Sequence, residues 1–117
     1  MNIAIEVNTR ELADAFRKAP AKTTKKIKEW VETITFLAER EEKQEVPVRT
    51  GALQNSVHGV VNGIRGETKP NIEYAIFVNN GTRRQKANPF ADRTYNKVKP
   101  VADRKASNLI DDVVRSI

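Results

Sequence analysis

A single apolar stripe limits what this chain can fold into more than any other feature. Between Ala21 and Lys43, the residues Ile27, Trp30, Val31, Ile34, Leu37 and Ala38 recur every three or four positions, with Lys and Glu opposite them. That spacing places the apolar groups on one face of a helix. Such a helix spans roughly 34 Å at 1.5 Å per residue. A compact chain of 117 residues has a radius of gyration of only about 13 Å. The helix is therefore expected to run along the whole body, with Trp30 in the core. Pro47 ends the pattern because it has no N–H to donate, and it pushes Val46 towards an extended conformation.

The stretch that follows, "VPVRTGALQNSV" (46–57), turns the chain. The Thr50 hydroxyl can cap a short turn, and Gly51 tolerates the backbone angles needed to re-aim the chain into Leu53 and Val57. Beyond it, "SVHGVV" and "IRGET" flank Asn62-Gly63, the strongest short hairpin signal in the sequence, with Gly59 expected as a bulge. "IEYAIFVN" (72–79) carries apolar residues on both faces, which predicts a central strand covered on both sides. Upstream, "NIAIEV" alternates like a half-buried strand. A helix then opens at Asn8 as N-cap, with Glu11 closing a capping box and Leu12, Ala15 and Phe16 on one face until Pro20. "NNGTRRQKAN" (79–88) has no apolar periodicity and is expected to be an exposed loop. Asn88 and Pro89 then start a helix as N-cap and N1, with Phe90 anchoring its first turn. Pro100 is expected to kink or divide this helix, and Ala106, Leu109, Ile110, Val113, Val114 and Ile117 to pack as a stripe to the end of the chain. The resulting fold class is α+β: a small antiparallel β-sheet packed against the long helix and a C-terminal helix, in a single domain over 1–117.

Composition narrows the chemistry. The chain has no Cys and one His, His58, so disulfides, thiolate metal sites, a Cys nucleophile and a His-based zinc site are all unavailable. His58 lies among strand residues and is expected to be a plain polar strand position. No apolar run is long enough to span a membrane, and Met1 to Val7 lacks the apolar stretch of a signal peptide, which points to a cytosolic protein without membrane contact. A net charge of +6 raises the possibility of phosphate contacts. The cations are dispersed over "KTTKKIK", "RRQK" and "DRTYNKVK", mixed with acids and polar residues, as on solvated faces.

Three ordered motifs carry a resemblance. Pro47, Thr50, Gly51, Leu53 and Ser56, then Tyr74, Gly81 and Thr82, then Gln85, Pro89 and Phe90 resemble the minor tail and neck component family of long-tailed bacteriophages, the small head-tail joining proteins of lambdoid phages and prophages. Two positions depart from that pattern: Arg49 and Asn80 stand where the family usually has an acid, making both corners more basic. The resemblance implies a structural virion component made in the bacterial host cytoplasm and located in the neck or tail. It implies assembly as a ring, no catalysis and no cofactor. Its partners would be head-connector and tail proteins, further copies of itself, and non-specifically the passing DNA. The contact residues it suggests are Arg49, Thr50, Gly51, Asn80, Gly81, Thr82, Arg83, Arg84, Lys86 and Phe90.

Two other classes compete. A small basic nucleic-acid-binding module accounts for the charge, but the sequence holds no recognition-helix or base-stacking signature. A metal-dependent nuclease needs converging carboxylates. Asp111 and Asp112 are adjacent on a helix and so splay apart.

Overall fold

The computed structural model describes residues 3–7, 17, 18, 20–47 and 51–115. Its elements in chain order are β1 (Ile5–Val7), α1 (Ala21–Glu45), α2 (Ala52–Asn55), β2 (Val57–Asn62), β3 (Arg65–Pro70), α3 (Ala75–Asn80) and α4 (Phe90–Arg115). The fold is α+β, with two long helices packed together along a molecule of 57 × 22 × 21 Å. The helix expected from Asn8 and Glu11 lies outside the described residues apart from Arg17 and Lys18, which are helical.

α1 buries Ile27, Val31, Ile34 and Ala38, while Trp30 and Leu37 are partly buried beside them. The Trp30 indole donates to Ala102 O on α4 at 3.2 Å, giving its N–H a partner at the helix–helix seam. The sheet is three-stranded and antiparallel, ordered β1-β3-β2. The central strand is β3, "RGETKP", and not the apolar 72–79 segment. β3 lies directly under α1, where bulk is the limiting factor. A Cβ on Gly66 would fall 1.8 Å from Thr35 Oγ1, and Thr68 Oγ1 donates to Thr35 O at 3.0 Å. Small residues with short hydrogen-bonding side chains let helix and strand approach closely.

Residues 72–79 form a turn and then α3. The reason is visible in burial: Ala75 and Asn79, four apart, are buried, while Tyr74 and Phe77 are exposed. This is a helical repeat on a segment whose β-branched and aromatic content suggests a strand.

Gly59 is no bulge, since β2 and β3 pair without a break from Val57↔Pro70 to Asn62↔Arg65. Its amide instead donates to Glu39 Oε2 at 2.6 Å, tying the strand to α1. In the hairpin the two loop residues are Gly63 and Ile64, one position later than expected, and Gly63 takes φ 65°. A Gly at the first loop position suits a II′ turn.

α4 passes Pro100 without dividing. Pro100 is exposed there. Phe90, Ala91, Thr94 and Val98 are buried along its first half. The expected C-terminal stripe packs only in part: Ala106 and Leu109 are half-buried, whereas Ile110 and Val114 point outward at 61% and 64% exposure. The Val113 side chain and Ile117 lie outside the described residues.

The core has two clusters. One joins Ile5, Val7, Val31, Ile34, Ala38 and Val98, and the other joins Val46, Leu53, Val57, Ala75, Phe90 and Ala91. On α1, Glu42 sits one turn beyond Ala38 and one turn before Val46, and so marks the seam between them. It is fully buried, and neither carboxylate oxygen has a hydrogen-bond partner among the described residues. Burial pushes its pKa from 4.5 up to about 8.

Candidate assembly surface

The C-terminus of α1 leaves carbonyls that the helix itself cannot satisfy, and three separate segments supply donors. Val46 N–H donates to Glu42 O at 3.0 Å, the Gln54 amide to Lys43 O at 2.9 Å, and Arg93 Nη2 to Glu45 O at 3.1 Å. Arg93 Nε also donates to the Glu45 carboxylate at 2.7 Å, and Lys97 Nζ donates to the same group. Hydrogen bonds from Lys97 and then Arg93 hold the Glu45 carboxyl below its ordinary pKa. The end of α1 is thus clamped to the start of α4.

Between these anchors, Gly51 takes φ 79° as the N-cap of α2, a left-handed conformation that favours glycine. Ser56 Oγ donates to Leu53 O at 2.7 Å, closing the short helix before β2 begins. Arg49 and Thr50, on the other side of the corner, lie outside the described residues.

The 81–88 loop is held by its own polar groups. Gly81 N–H donates to Phe77 O at 2.8 Å, ending α3 with φ 81°. A Cβ at Gly81 would meet Ala87 N at 2.7 Å, so the loop closes against this glycine. Thr82 N–H donates to Gln85 O at 2.9 Å, and Thr82 Oγ1 accepts from the amides of Arg84 and Gln85 at 3.3 and 3.1 Å. Asn88 N–H returns the chain to Val78 O at 2.9 Å. The loop is buttressed from within, and Asn80, Thr82, Arg83, Arg84 and Lys86 all stand exposed around it.

The helix after the loop is capped from a distance. Asn79 Oδ1 accepts from Ala91 N–H at 3.1 Å, while its amide donates to Asn80 Oδ1 at 2.8 Å. The Asn88 side chain accepts from Arg93 instead of capping α4. Pro89 O accepts the first helical bond, from Arg93 N–H at 3.1 Å, which makes Pro89 the N-cap and Phe90 the first helical residue. Phe90 itself is fully buried. It anchors the core and offers no surface to a partner.

The residues of the three motifs therefore converge. Leu53 from the first, Ala75 and Val78 beside Tyr74 from the second, and Phe90 from the third meet in one core cluster, while Thr82 and Gln85 bond each other across the loop. Sequence reasoning missed Asn79, Arg93 and Glu42. Asn79 sat in a segment that suggested a strand, and nothing local marks a cap that acts twelve residues downstream.

Among the described residues no group of three or more His, Asp or Glu could hold a metal ion, and no helix is long and apolar enough to cross a membrane. The α+β frame presents a braced, exposed basic loop and, at the end of α4, the outward-facing apolar side chains of Ile110 and Val114. Residues 10–81 match the family described as "Bacteriophage HK97-gp10, putative tail-component", and the chain belongs to that family of phage tail components. The match takes in the Thr-Gly corner, α3 and Gly81, and stops before Gln85, Pro89 and Phe90. No curated protein and no solved structure matches the chain.

Proposed function

We propose that this protein is a non-catalytic neck or tail-completion component, which joins the DNA-filled head of a long-tailed phage to its tail and assembles there as a ring. Membership of a tail-component family supports a structural role in the virion. The observation that carries the finer reading is the 81–88 loop. Its backbone is fixed by Gly81, Thr82 and Asn88, while the side chains of Arg83, Arg84 and Lys86 have no hydrogen bond or ion pair among the described residues and remain exposed. A braced backbone that presents exposed cations suits recognition, because little backbone ordering entropy is lost when a partner docks. The partner surfaces in this reading are head-connector and tail proteins, and the Gly51 corner with Arg49 and Thr50 is a second contact.

Replacing Arg83, Arg84 and Lys86 with Ser tests the reading. Exposed charges contribute little to folding, so the melting curve of the purified variant should be unchanged. Phage made with it should accumulate unjoined heads and tails. Infectious particles at normal yield would refute the placement of the contact. The nucleic-acid-binding alternative rests on the same three cations. It predicts lost DNA affinity with a salt slope shallower by about 0.9 per phosphate contact removed, whether or not phage components are present.

A further inference from the structure

We infer that copies of this chain join head to tail, the outward-facing end of α4 of one copy seating in a basic-rimmed apolar groove between α1 and α4 of the next. The inference rests on the ring reading above and names the surfaces that would make the contact.

The groove is open and has a volume of about 620 Å³. Phe36, Leu37 and Val101 supply its apolar lining, and Phe36 is 50% exposed. Arg40, Lys97, Arg104 and Lys105 also line it, with Glu41 as the single acid. Arg40 pairs with Glu41 at 3.5 Å and Lys97 binds Glu45. Arg104 and Lys105 have no ion pair among the described residues, so uncompensated positive charge sits at the α4 side of the groove. An occupant must bring apolar side chains at helical spacing and carboxylates to meet them.

The chain carries such a segment. Ile110 and Val114, four apart, project together from the last turns of α4 at 61% and 64% exposure. Asp111 lies at the edge of this face, exposed and without an ion pair among the described residues, whereas Asp112 points to the opposite side of the helix and Arg115 follows on the same turn. A pair of exposed apolar residues with the Asp111 carboxylate at its edge matches an apolar groove with free cations at its rim.

Geometry decides the symmetry of the contact. Val101 and Ile110 are nine residues apart on one helix, and at about 100° per residue they point about 180° apart. Val101 faces the groove beside α1, whereas Ile110 faces away from it. A two-fold pair cannot place its partner on both sides of one helix. Each copy must therefore receive one neighbour and enter another. Contacts of this kind generate rings when the rotation closes and filaments when it does not.

Sedimentation of the full chain and two variants tests this. R104E/K105E alters the groove, and I110S/V114S removes the apolar end. All four positions are outside the buried core, so both variants should melt like the wild type. The wild type should form closed multimers, each variant alone should sediment as a 13.2 kDa monomer, and an equimolar mixture should form one-to-one pairs of twice that mass that grow no further. The mixed pair retains a single intact contact, which is why it stops. Variants that assemble like the wild type would overturn the assigned surfaces while leaving the ring reading standing. Open-ended growth of the wild type would keep the surfaces and overturn the ring. A wild type that stays monomeric at every concentration, or a mixture that stays monomeric, would overturn the head-to-tail contact, the former pointing to an acidic helix of another virion protein as the occupant.

Discussion

Glu42 allows a quantitative test of how the two core clusters meet. Its carboxyl is fully buried without a hydrogen-bond partner among the described residues, and its pKa is about 8 in the folded protein against 4.5 as the ordinary value. Between those two pH values the folded state holds a proton that the unfolded chain has released. This group therefore adds no pH dependence to folding below pH 4.5, and makes folding progressively less favourable as pH rises towards 8. At about 1.36 kcal/mol per pH unit, the loss across that window reaches up to about 5 kcal/mol, a large part of a small domain's stability. Glu42→Gln keeps the shape and cannot ionise. Denaturant unfolding of wild type and Glu42→Gln at pH 4.5, 6 and 8 isolates the effect, since every other titrating group is common to both and cancels in the difference. The stability of the variant relative to wild type should rise by about 3 to 5 kcal/mol from pH 4.5 to pH 8. Parallel curves, with a constant difference at all three pH values, would show that Glu42 reaches water or a partner and that the seam is not dry.

Three further outcomes follow from the packing and the caps. Gly66→Ala should destabilise by about 1 to 3 kcal/mol, because its Cβ would lie 1.8 Å from Thr35 Oγ1; a combined Gly66→Ala/Thr35→Ala chain should recover part of that loss in thermal melts. Asn79→Ala removes the acceptor for Ala91 N–H and should cost about 1 to 2 kcal/mol by denaturant titration, whereas Asn88→Ala should leave that cap intact. Glu45 has a depressed pKa, so its bonds to Lys97 and Arg93 stabilise the fold above its ordinary value of 4.5 and are lost as pH falls through the lower folded value; Glu45→Gln should flatten the acid limb of the stability curve there, and an unchanged acid limb would refute the clamp.

Much of the frame was written in local chemistry. The α1 stripe, Pro47 as its stop and Gly51 as the left-handed corner each depend on interactions within a few residues, so spacing and residue type were enough to place them. Most of the loop expected at 79–88 was legible for the same reason: 81–88 has no apolar side chain at a repeating interval, and Gly81 and Thr82 supply turn geometry, whereas Asn79 and Asn80 belong to α3. The ordered motifs pointed to the phage tail-component family because the spacing between them is a property of the chain.

What only the tertiary structure decided involves partners distant in sequence. Residues 72–79 have the composition of a strand, yet form a turn and then α3 because Ala75 and Asn79 find burial against Leu53, Phe90 and the α4 N-terminus. β3, polar in sequence, became the central strand because Gly66 and Thr68 are small enough to lie under Thr35. The apolar end of α4 had a helical period yet turned Ile110 and Val114 outward, since a period fixes which residues share a face but not whether anything covers that face. Covering depends on where α1 lies, and that is set by the closure of both core clusters around it, a sum of contacts that no window of the sequence contains.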